Sequence, residues 1–273
     1  MTGTRVLSQT GAMLDTLADR ENRPALVGYL PVGFPSVPGS VAAVRTMIDA
    51  GVDVVELGMP YSDPVMDGPV IQHAVEAALA GGTRVSDTLH AVEAVAGRGA
   101  PILVMTYWNL VLRYGVDAYA RDLAAAGGAG LITPDLIPDE AADWVAASDR
   151  YGLDRVFLVA PSSTPERLAA TAAASRGFVY AASTMGVTGE RTTVGSRAEQ
   201  LVADTRAAGA RRVCVGLGVS LPEQAAQVGA FADGVIVGSA LVRALTDASD
   251  EAAGLTALAG VARGLAAGVR SAR

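Results

Sequence analysis

The stretch Pro24–Pro60, PALVGYLPVGFPSVPGSVAAVRTMIDAGVDVVELGMP, contains the pattern that decides the fold. Two short apolar runs, Ala25–Leu30 and Val52–Leu57, predict strands, and their nearly continuous hydrophobicity is typical of parallel strands buried on both faces. Between them, Ser40–Ala50 has the apolar spacing of a helix, which is expected to stop before Gly51. Strand, helix and strand in this order predict a βαβ unit in a parallel sheet.

The same rhythm recurs about eight times along the 273 residues. Eight such units predict an α/β fold, a single (β/α)8 TIM barrel over residues 1–273, with a doubly wound sheet as the alternative. Extra helices are expected at the two ends, over Met1–Asn22 and Glu251–Val269. The other predicted strands are Ile102–Tyr107, Gly130–Ile132, Arg155–Val159, Phe178–Ala182, Arg212–Gly216 and Gly234–Val237. The other predicted helices are Thr83–Ala96, Ala118–Ala126 and Asp139–Tyr151.

Composition excludes several classes of function. The net charge is −7, with 28 acidic and 21 basic residues, which is the wrong sign for binding nucleic acid or an anionic membrane surface. All 21 basic residues are Arg. Without Lys, the chain has no Schiff-base nucleophile and no lysine-anchored phosphate loop.

The chain also has few residues that could bind a metal or act as a thiol nucleophile. His73, His90 and Cys214 are too few for an ordinary zinc site, and no metal is expected. Cys214 lies in an apolar run and is expected to be a small buried side chain. Both histidines are predicted to be surface residues on helices. The N-terminus lacks an apolar signal core, so we expect a cytoplasmic protein.

In a barrel, the chemistry lies at the carboxyl ends of the strands, so the loops there hold the candidate residues. Glu56 ends an apolar strand, where burial would raise its pKa towards neutrality; the alternative is a solvated or Arg-paired glutamate. Asp67 lies in the long loop that follows and could supply a second carboxylate, whereas a turn role is the alternative. Asp63, directly before Pro64, favours a turn.

Two glycine-rich turns follow the last two predicted strands, at Gly216–Ser220 and Gly238–Ala240. Glycines let backbone amides approach an anion, so these turns predict phosphate binding at Gly218, Gly238 and Ser239, with tight turns and helix caps as the alternative. The long loop Ser183–Ser196 contains Gly189 and suits a lid over the same phosphate, or else a mobile surface loop.

Tyr180 and Tyr107 lie at or near strand ends. At a barrel mouth, a tyrosine ring can line an aromatic pocket and its hydroxyl can bind substrate; filling of the core is the alternative.

The segment Glu56–Gln72, ELGMPYSDPVMDGPVIQ, resembles the tryptophan synthase α-subunit family. Further blocks occur in family order and cover nearly the whole chain. They are Pro31–Pro35, Val104–Asn109, Pro134–Glu140, Tyr180 with Ser183–Gly189, Gly216–Gln224 and Asp233–Val242. Two positions depart from the family pattern, since Met66 is often a small residue and Leu110 is often Pro.

The resemblance implies a (β/α)8 barrel that cleaves indole-3-glycerol phosphate into indole and glyceraldehyde 3-phosphate. It places the catalytic carboxylates on Glu56 and Asp67 and the active-site tyrosine on Tyr180. The implied phosphate contacts are Gly189, Gly218, Gly238 and Ser239. It also implies that the chain holds no cofactor and that a β subunit carrying pyridoxal phosphate receives the indole in an α2β2 tetramer. The loop with Asp63 and Pro64 would face that partner.

The chemistry of the residues agrees with this reaction. Cleaving a carbon–carbon bond needs an electron sink. The chain has no Lys that could form an imine, and no metal is expected that could act in its place. An indole ring protonated at the carbon that bears the glycerol chain becomes such a sink. Glu56 is the candidate for that proton transfer, and Asp67 would bind the ring N–H.

Other functions remain open on sequence grounds. One is a stand-alone lyase of the same fold that releases free indole. An isomerase with a phosphate-binding barrel is disfavoured by the paired carboxylates Glu56 and Asp67. A non-catalytic regulator of a β subunit is a third alternative, although both carboxylates and all the phosphate-turn glycines are present.

Overall fold

A computed structural model of the protein describes residues 8–182, 191–216 and 218–273. The strands are β1 (Ala25–Pro31), β2 (Val54–Gly58), β3 (Ile102–Met105), β4 (Gly130–Ile132), β5 (Asp154–Val156), β6 (Leu158–Val159), β7 (Val179–Ala182), β8 (Val213–Gly216) and β9 (Gly234–Val237). The helices are α1 (Gln9–Glu21), α2 (Val37–Asp49), α3 (Pro69–Ala80), α4 (Val85–Val95), α5 (Trp108–Tyr114), α6 (Val116–Ala125), α7 (Ala142–Tyr151), α8 (Pro165–Ala174), α9 (Arg191–Ala207), α10 (Pro222–Gly229), α11 (Ser239–Thr246) and α12 (Glu251–Arg270). A 3-10 helix covers Pro138–Glu140.

The strands form one parallel sheet in the order β5-β4-β3-β2-β1-β9-β8-β7-β6. Its two end strands, β5 and β6, are separated along the chain only by Phe157. The Phe157 carbonyl accepts the Tyr180 amide at 3.0 Å, which continues the pairing across the gap. Because β1 pairs with β9 and the ring closes through Phe157, the expected α/β barrel is confirmed, and the doubly wound alternative is wrong.

Several predicted boundaries are wrong by a few residues. The strand expected over Arg155–Val159 is two short pieces, and the one expected to reach Tyr107 ends at Met105, since Tyr107 caps α5. The N-terminal helix begins at Gln9 because the Ser8 side chain accepts the Gly11 amide as its cap; residues 1–7 lie outside the described part of the chain.

Some helices begin at a different residue from the one predicted, because local signals other than the apolar spacing determine where they start. Proline in the first turn starts α2 at Val37 rather than at Ser40. The helix expected from Asp139 is a 3-10 turn followed by α7, which begins at Ala142. The segment Ser183–Ser196 is expected to be a loop, but α9 already begins at Arg191; residues 183–190 lie outside the described part of the chain.

The core has two parts, as a barrel requires. One lies between the sheet and the surrounding helices, and the other fills the barrel itself with alternate strand residues such as Val27, Val54 and Cys214. Helix α1 covers the amino ends of the strands, where its Leu14 joins the inner cluster and the Thr10 amide donates to buried Asp154 at 3.0 Å. Cys214 is buried, as the sequence predicts.

A buried ion pair sets the start of the first two strands. The Arg23 guanidinium makes two hydrogen bonds to Asp53, at 2.7 and 2.9 Å, and Asp53 also accepts the Leu26 amide at 2.8 Å. This contact ties the beginning of β1 to the beginning of β2. The resulting register places Tyr29 beside Glu56.

Helix α12 is long and apolar enough to cross a membrane by length and composition alone, with a mean hydropathy of 1.4. In this structure it packs on α2, α10 and α11, and residues such as Leu258, Ala262 and Leu265 are buried there. It therefore serves as an outer helix of the barrel.

Candidate active site

A cavity of about 460 Å³ opens at the carboxyl ends of the strands, which is the end where barrel enzymes act. Strand β1 contributes Tyr29 and β2 contributes Glu56, and the loop after β2 contributes Asp67. The remaining lining residues are Met66, Gly68, Ile71, Met105, Ala160, Pro161, Tyr180, Ala182, Gly216, Gly218, Ile236, Gly238 and Ser239. The cavity thus joins polar groups from loops and strands that are far apart in sequence.

Glu56 is the most deeply buried acid of this cavity, with 1% of its surface exposed. Its Oε1 atom has no hydrogen-bond partner among the described residues, and no arginine of this part of the chain pairs with it. Burial raises the pKa of Glu56 from 4.5 to about 8, because the charged form loses its hydration. The alternative of a solvated or Arg-paired glutamate is therefore wrong.

Asp67 also lines the cavity, where it is half-buried just before α3. Burial raises the pKa of its carboxyl above the usual range. Its carbonyl accepts the Gln72 side-chain amide at 2.8 Å, which ties the loop to α3. The cavity therefore holds two carboxyls, and both have raised pKa values.

Tyr107 fixes the loop that carries Asp67. Its hydroxyl accepts the amides of Val65 and Met66, at 3.0 and 3.1 Å, and its ring packs on Tyr61 with a centroid separation of 5.0 Å. Tyr107 is buried beside the cavity and does not line it. The structure thus places this residue against the loop, whereas Tyr180 lines the cavity as the sequence predicts.

At the barrel mouth, the hydroxyls of two tyrosines lie close to glycines. A Cβ atom added at Gly58 would lie 2.2 Å from the Tyr29 hydroxyl, and one added at Gly216 would lie 2.5 Å from the Tyr180 hydroxyl. Only residues without side chains leave room for these hydroxyls at the ends of β2 and β8. Tyr29 is not predicted as a site residue from the sequence. It lies near the end of β1, and a position near the end of a strand is the reason for predicting Glu56.

The other end of the cavity is made of backbone. Gly238 precedes α11, and the amides of Ser239 and Ala240 in its first turn have no acceptor among the described residues. Gly218 lies beside them with a φ of +67°, a conformation that suits glycine. Free amides at a helix start bind anions such as phosphate. Gly189, the other predicted phosphate contact, lies outside the described residues.

Some predicted residues lie away from the cavity. Asp63 is exposed and accepts the Ser62 hydroxyl at 2.6 Å, and Pro64 is half-buried. His73 and His90 are exposed on α3 and α4, as the sequence predicts. Across residues 8–182, 191–216 and 218–273, no group of three or more His, Cys, Asp and Glu side chains could hold a metal ion.

This arrangement can carry out acid–base chemistry on a phosphorylated substrate. A carboxyl with a pKa of about 8 keeps a proton near neutral pH and can donate it to carbon and recover it from oxygen. The first amides of α11 can bind an anion at the other end of the cavity from that carboxyl. Such an anchor would position the substrate for proton transfer.

Fold and cavity together define the class of protein, an α/β-barrel enzyme with its polar groups at the carboxyl ends of the strands. Comparison with known proteins gives the particular family. A sequence profile described as tryptophan synthase alpha chain matches residues 16–270. The chain belongs to the tryptophan synthase alpha chain family, which confirms the expected lyase function in tryptophan biosynthesis.

Individual relatives agree. The tryptophan synthase alpha chain of Mycobacterium avium is 63% identical over 263 residues, covering 96% of this chain and 95% of that protein. A solved structure of Mycobacterium tuberculosis tryptophan synthase is 61% identical over 96% of this chain and 98% of its own, with a TM-score of 0.88. The alpha subunit from Legionella pneumophila is 30% identical over 96% of this chain and 98% of its own, with a TM-score of 0.85.

Proposed function

We propose that this chain cleaves indole-3-glycerol phosphate into indole and glyceraldehyde 3-phosphate, with Glu56 and Asp67 as its catalytic residues. One observation carries the proposal: a buried carboxyl faces a cavity whose far end presents the first amides of α11, and among the described residues neither the Oε1 atom of that carboxyl nor these amides have a hydrogen-bond partner. This pairing suits a substrate that has a reacting carbon at one end and a phosphate at the other.

The phosphate binds at the backbone end of the cavity, at Gly218, Gly238 and Ser239. Helix α11 directs its amino end there, and its first-turn amides favour a negative charge. Gly189 joins this phosphate site in the proposal on the resemblance of its motif alone. Anchored in this way, the substrate extends its glycerol chain and indole ring towards Glu56.

Glu56 begins the reaction in its protonated form. It donates its proton to the indole carbon that bears the glycerol chain, and the ring becomes an iminium-like electron sink. The resulting carboxylate then takes the proton from the hydroxyl on the adjacent carbon. The bond between the two carbons breaks, its electron pair neutralises the ring, and the oxygen becomes the aldehyde of glyceraldehyde 3-phosphate. Glu56 ends protonated, so the cycle balances.

Asp67 binds the indole N–H and stabilises the positive charge that develops on the ring. Its position on the loop held by Tyr107 supports this role, since two hydrogen bonds fix the residues directly before it. Tyr180 forms an aromatic wall of the cavity, and its phenol remains neutral because burial and the charge of Glu56 raise its pKa.

The chain needs no cofactor of its own in this reaction, because the substrate supplies the electron sink. We propose a tryptophan synthase β subunit with pyridoxal phosphate as the partner, in a cytoplasmic α2β2 tetramer. Val65 and Met66, next to Asp63 and Pro64, leave 79% and 45% of their surfaces exposed, which suits a loop that is covered by another subunit.

The test measures indole release from indole-3-glycerol phosphate by the wild type and by Glu56→Gln, without and with a β subunit plus serine. Glu93→Gln is the matched control, because Glu93 is exposed on α4. We expect Glu56→Gln to lose about 10²–10⁴-fold in rate while it still binds glyceraldehyde 3-phosphate, and Glu93→Gln to match the wild type.

The β subunit separates the remaining outcomes. Acceleration of the wild type by the partner supports the synthase. Fast release that the β subunit does not change would instead indicate a stand-alone lyase. If the wild type cleaves nothing in any mixture, the proposed activity is wrong.

A further inference from the structure

Tyr29 occupies the space between the two ends of the cavity. It pairs in register with Glu56 across β1 and β2, so the two side chains lie on the same face of the barrel wall. Its hydroxyl stands over Gly58, two residues beyond Glu56 on the same strand, while its ring lies 3.3 Å from the Cβ position of Gly238. The Tyr29 side chain thus lies between the end of β2 and the start of α11.

The Tyr29 side chain lines the cavity, and its hydroxyl makes no hydrogen bond to the described residues. A phenol hydroxyl both donates and accepts hydrogen bonds, so this hydroxyl is available to a ligand in the cavity. A phenylalanine would fill the same wall but could not make such a bond. The hydroxyl is also a reliable donor, because burial and the charges of Asp67 and Glu56 raise the pKa of the phenol well above its usual range.

The Tyr29 hydroxyl lies beside Gly58, and the Glu56 side chain leaves the same strand two residues earlier, so both groups face the same region of the cavity. A hydroxyl of the substrate chain that lies between the two groups contacts both of them. A hydrogen bond to this oxygen favours its loss of a proton and later stabilises the aldehyde carbonyl that replaces it.

We propose that Tyr29 is a further substrate-binding residue, whose hydroxyl donates a hydrogen bond to the substrate oxygen on the carbon that is cleaved from the indole ring. This inference rests on the proposed function of the cavity. It makes Tyr29 a determinant of specificity for a hydroxylated chain, whereas the phosphate turns recognise only the phosphate.

Binding can be measured separately from cleavage in a Glu56→Gln background, which holds the substrate without turning it over. Two ligands are compared by calorimetry: indole-3-glycerol phosphate and indole-3-propanol phosphate, which has the same ring and phosphate but no chain hydroxyls. We expect Tyr29→Phe to weaken binding of the glycerol compound about five- to tenfold and to leave the propanol compound within about twofold.

Tyr119→Phe is the matched control, because Tyr119 is also a buried tyrosine whose hydroxyl has no described partner, but it lies on α6 outside the cavity. It should change neither affinity. In the chain with Glu56 intact, Tyr29→Phe should lower kcat for indole-3-glycerol phosphate, whereas Tyr119→Phe should not.

Two results would overturn the inference. If Tyr29→Phe weakens binding of both ligands equally, Tyr29 only shapes the cavity wall. If it changes the affinity for neither ligand, the hydroxyl makes no contact with substrate. Either result leaves the proposed function standing as long as the wild type releases indole. Failure of the wild type to release indole is the separate outcome that rejects the proposed function itself.

Discussion

The hydroxyl of Tyr107 accepts a hydrogen bond from the backbone amide of Met66, with a donor–acceptor distance of 3.1 Å. The neighbouring amide of Val65 donates to the same oxygen at 3.0 Å. Since Asp67 directly follows, a residue between β3 and α5 holds a carboxyl that belongs to the loop after β2. The position of Asp67 therefore depends on a contact between parts of the chain about 40 residues apart.

Tyr107→Phe removes the acceptor of both amides, and we expect the loop to lose its fixed position. The rate of indole formation should fall about tenfold, while affinity for glyceraldehyde 3-phosphate stays unchanged, because the proposed phosphate site is at the other end of the cavity. Steady-state kinetics and a binding titration check this. Tyr151→Phe is the control, since its hydroxyl donates to Asp117 on the outside of the barrel; equal losses in both variants would contradict the prediction.

Asp67 and Asp63 offer a comparison within one loop, because only Asp67 lines the cavity. We expect Asp67→Asn to reduce kcat for indole-3-glycerol phosphate by about 10²-fold or more, since a neutral amide cannot balance charge on the ring. Asp63→Asn should leave the isolated chain nearly as active as the wild type and change only its response to a β subunit. Kinetics with and without the partner distinguish the two, and a large loss for Asp63→Asn alone would contradict the assignment.

The raised pKa of Glu56 predicts the pH dependence of the reaction. Glu56 must be protonated to donate to carbon, so kcat/KM for the isolated chain should decline above about pH 8, where this carboxyl loses its proton. A pH–rate profile of indole formation checks it. Constant activity to pH 10 would show that Glu56 does not act as the acid.

The same burial predicts how stability depends on pH. The folded-state pKa of Glu56 is raised to about 8, from 4.5 when exposed, so the folded chain binds a proton that the unfolded chain has released. Its contribution to stability is fully present below pH 4.5 and is lost as pH rises towards 8, with a slope of up to about 1.4 kcal/mol per pH unit.

Glu56→Gln has no proton to lose at this position. The free energy of unfolding of the variant should therefore rise relative to that of the wild type between pH 5 and 8, and the difference should level off above that range. Urea unfolding at several pH values measures it. A difference that does not depend on pH would mean that Glu56 is charged in the folded protein.

Gly216→Ala should disturb the cavity directly. The new Cβ atom would lie 2.5 Å from the Tyr180 hydroxyl, so the tyrosine must move, and we expect the rate of indole formation to fall. Gly260→Ala is the matched control, because Gly260 is exposed on α12 with no atom within 4 Å of the Cβ position. It should keep full activity and gain about 0.5–1 kcal/mol in helix stability. If both variants stay fully active, the Tyr180 position does not matter to the reaction.

The sequence by itself determined the class of fold and much of the candidate site. Apolar runs and glycine stops are local signals, so the parallel strands could be predicted, and the spacing between Glu56 and Asp67 pointed to one loop. Gly238 and Ser239 were found for the same reason, because a glycine before a helix marks a possible anion site wherever it occurs.

Only the tertiary structure decided which side chains share the cavity. Tyr29 and Tyr107 carry similar local signals, yet one lines the cavity and the other holds the loop, because the register between β1, β2 and β3 sets where each hydroxyl lies. The pKa of Glu56 likewise depends on neighbours from several strands that exclude water from it. Burial and register arise from contacts between residues distant in sequence, and no local pattern encodes these contacts.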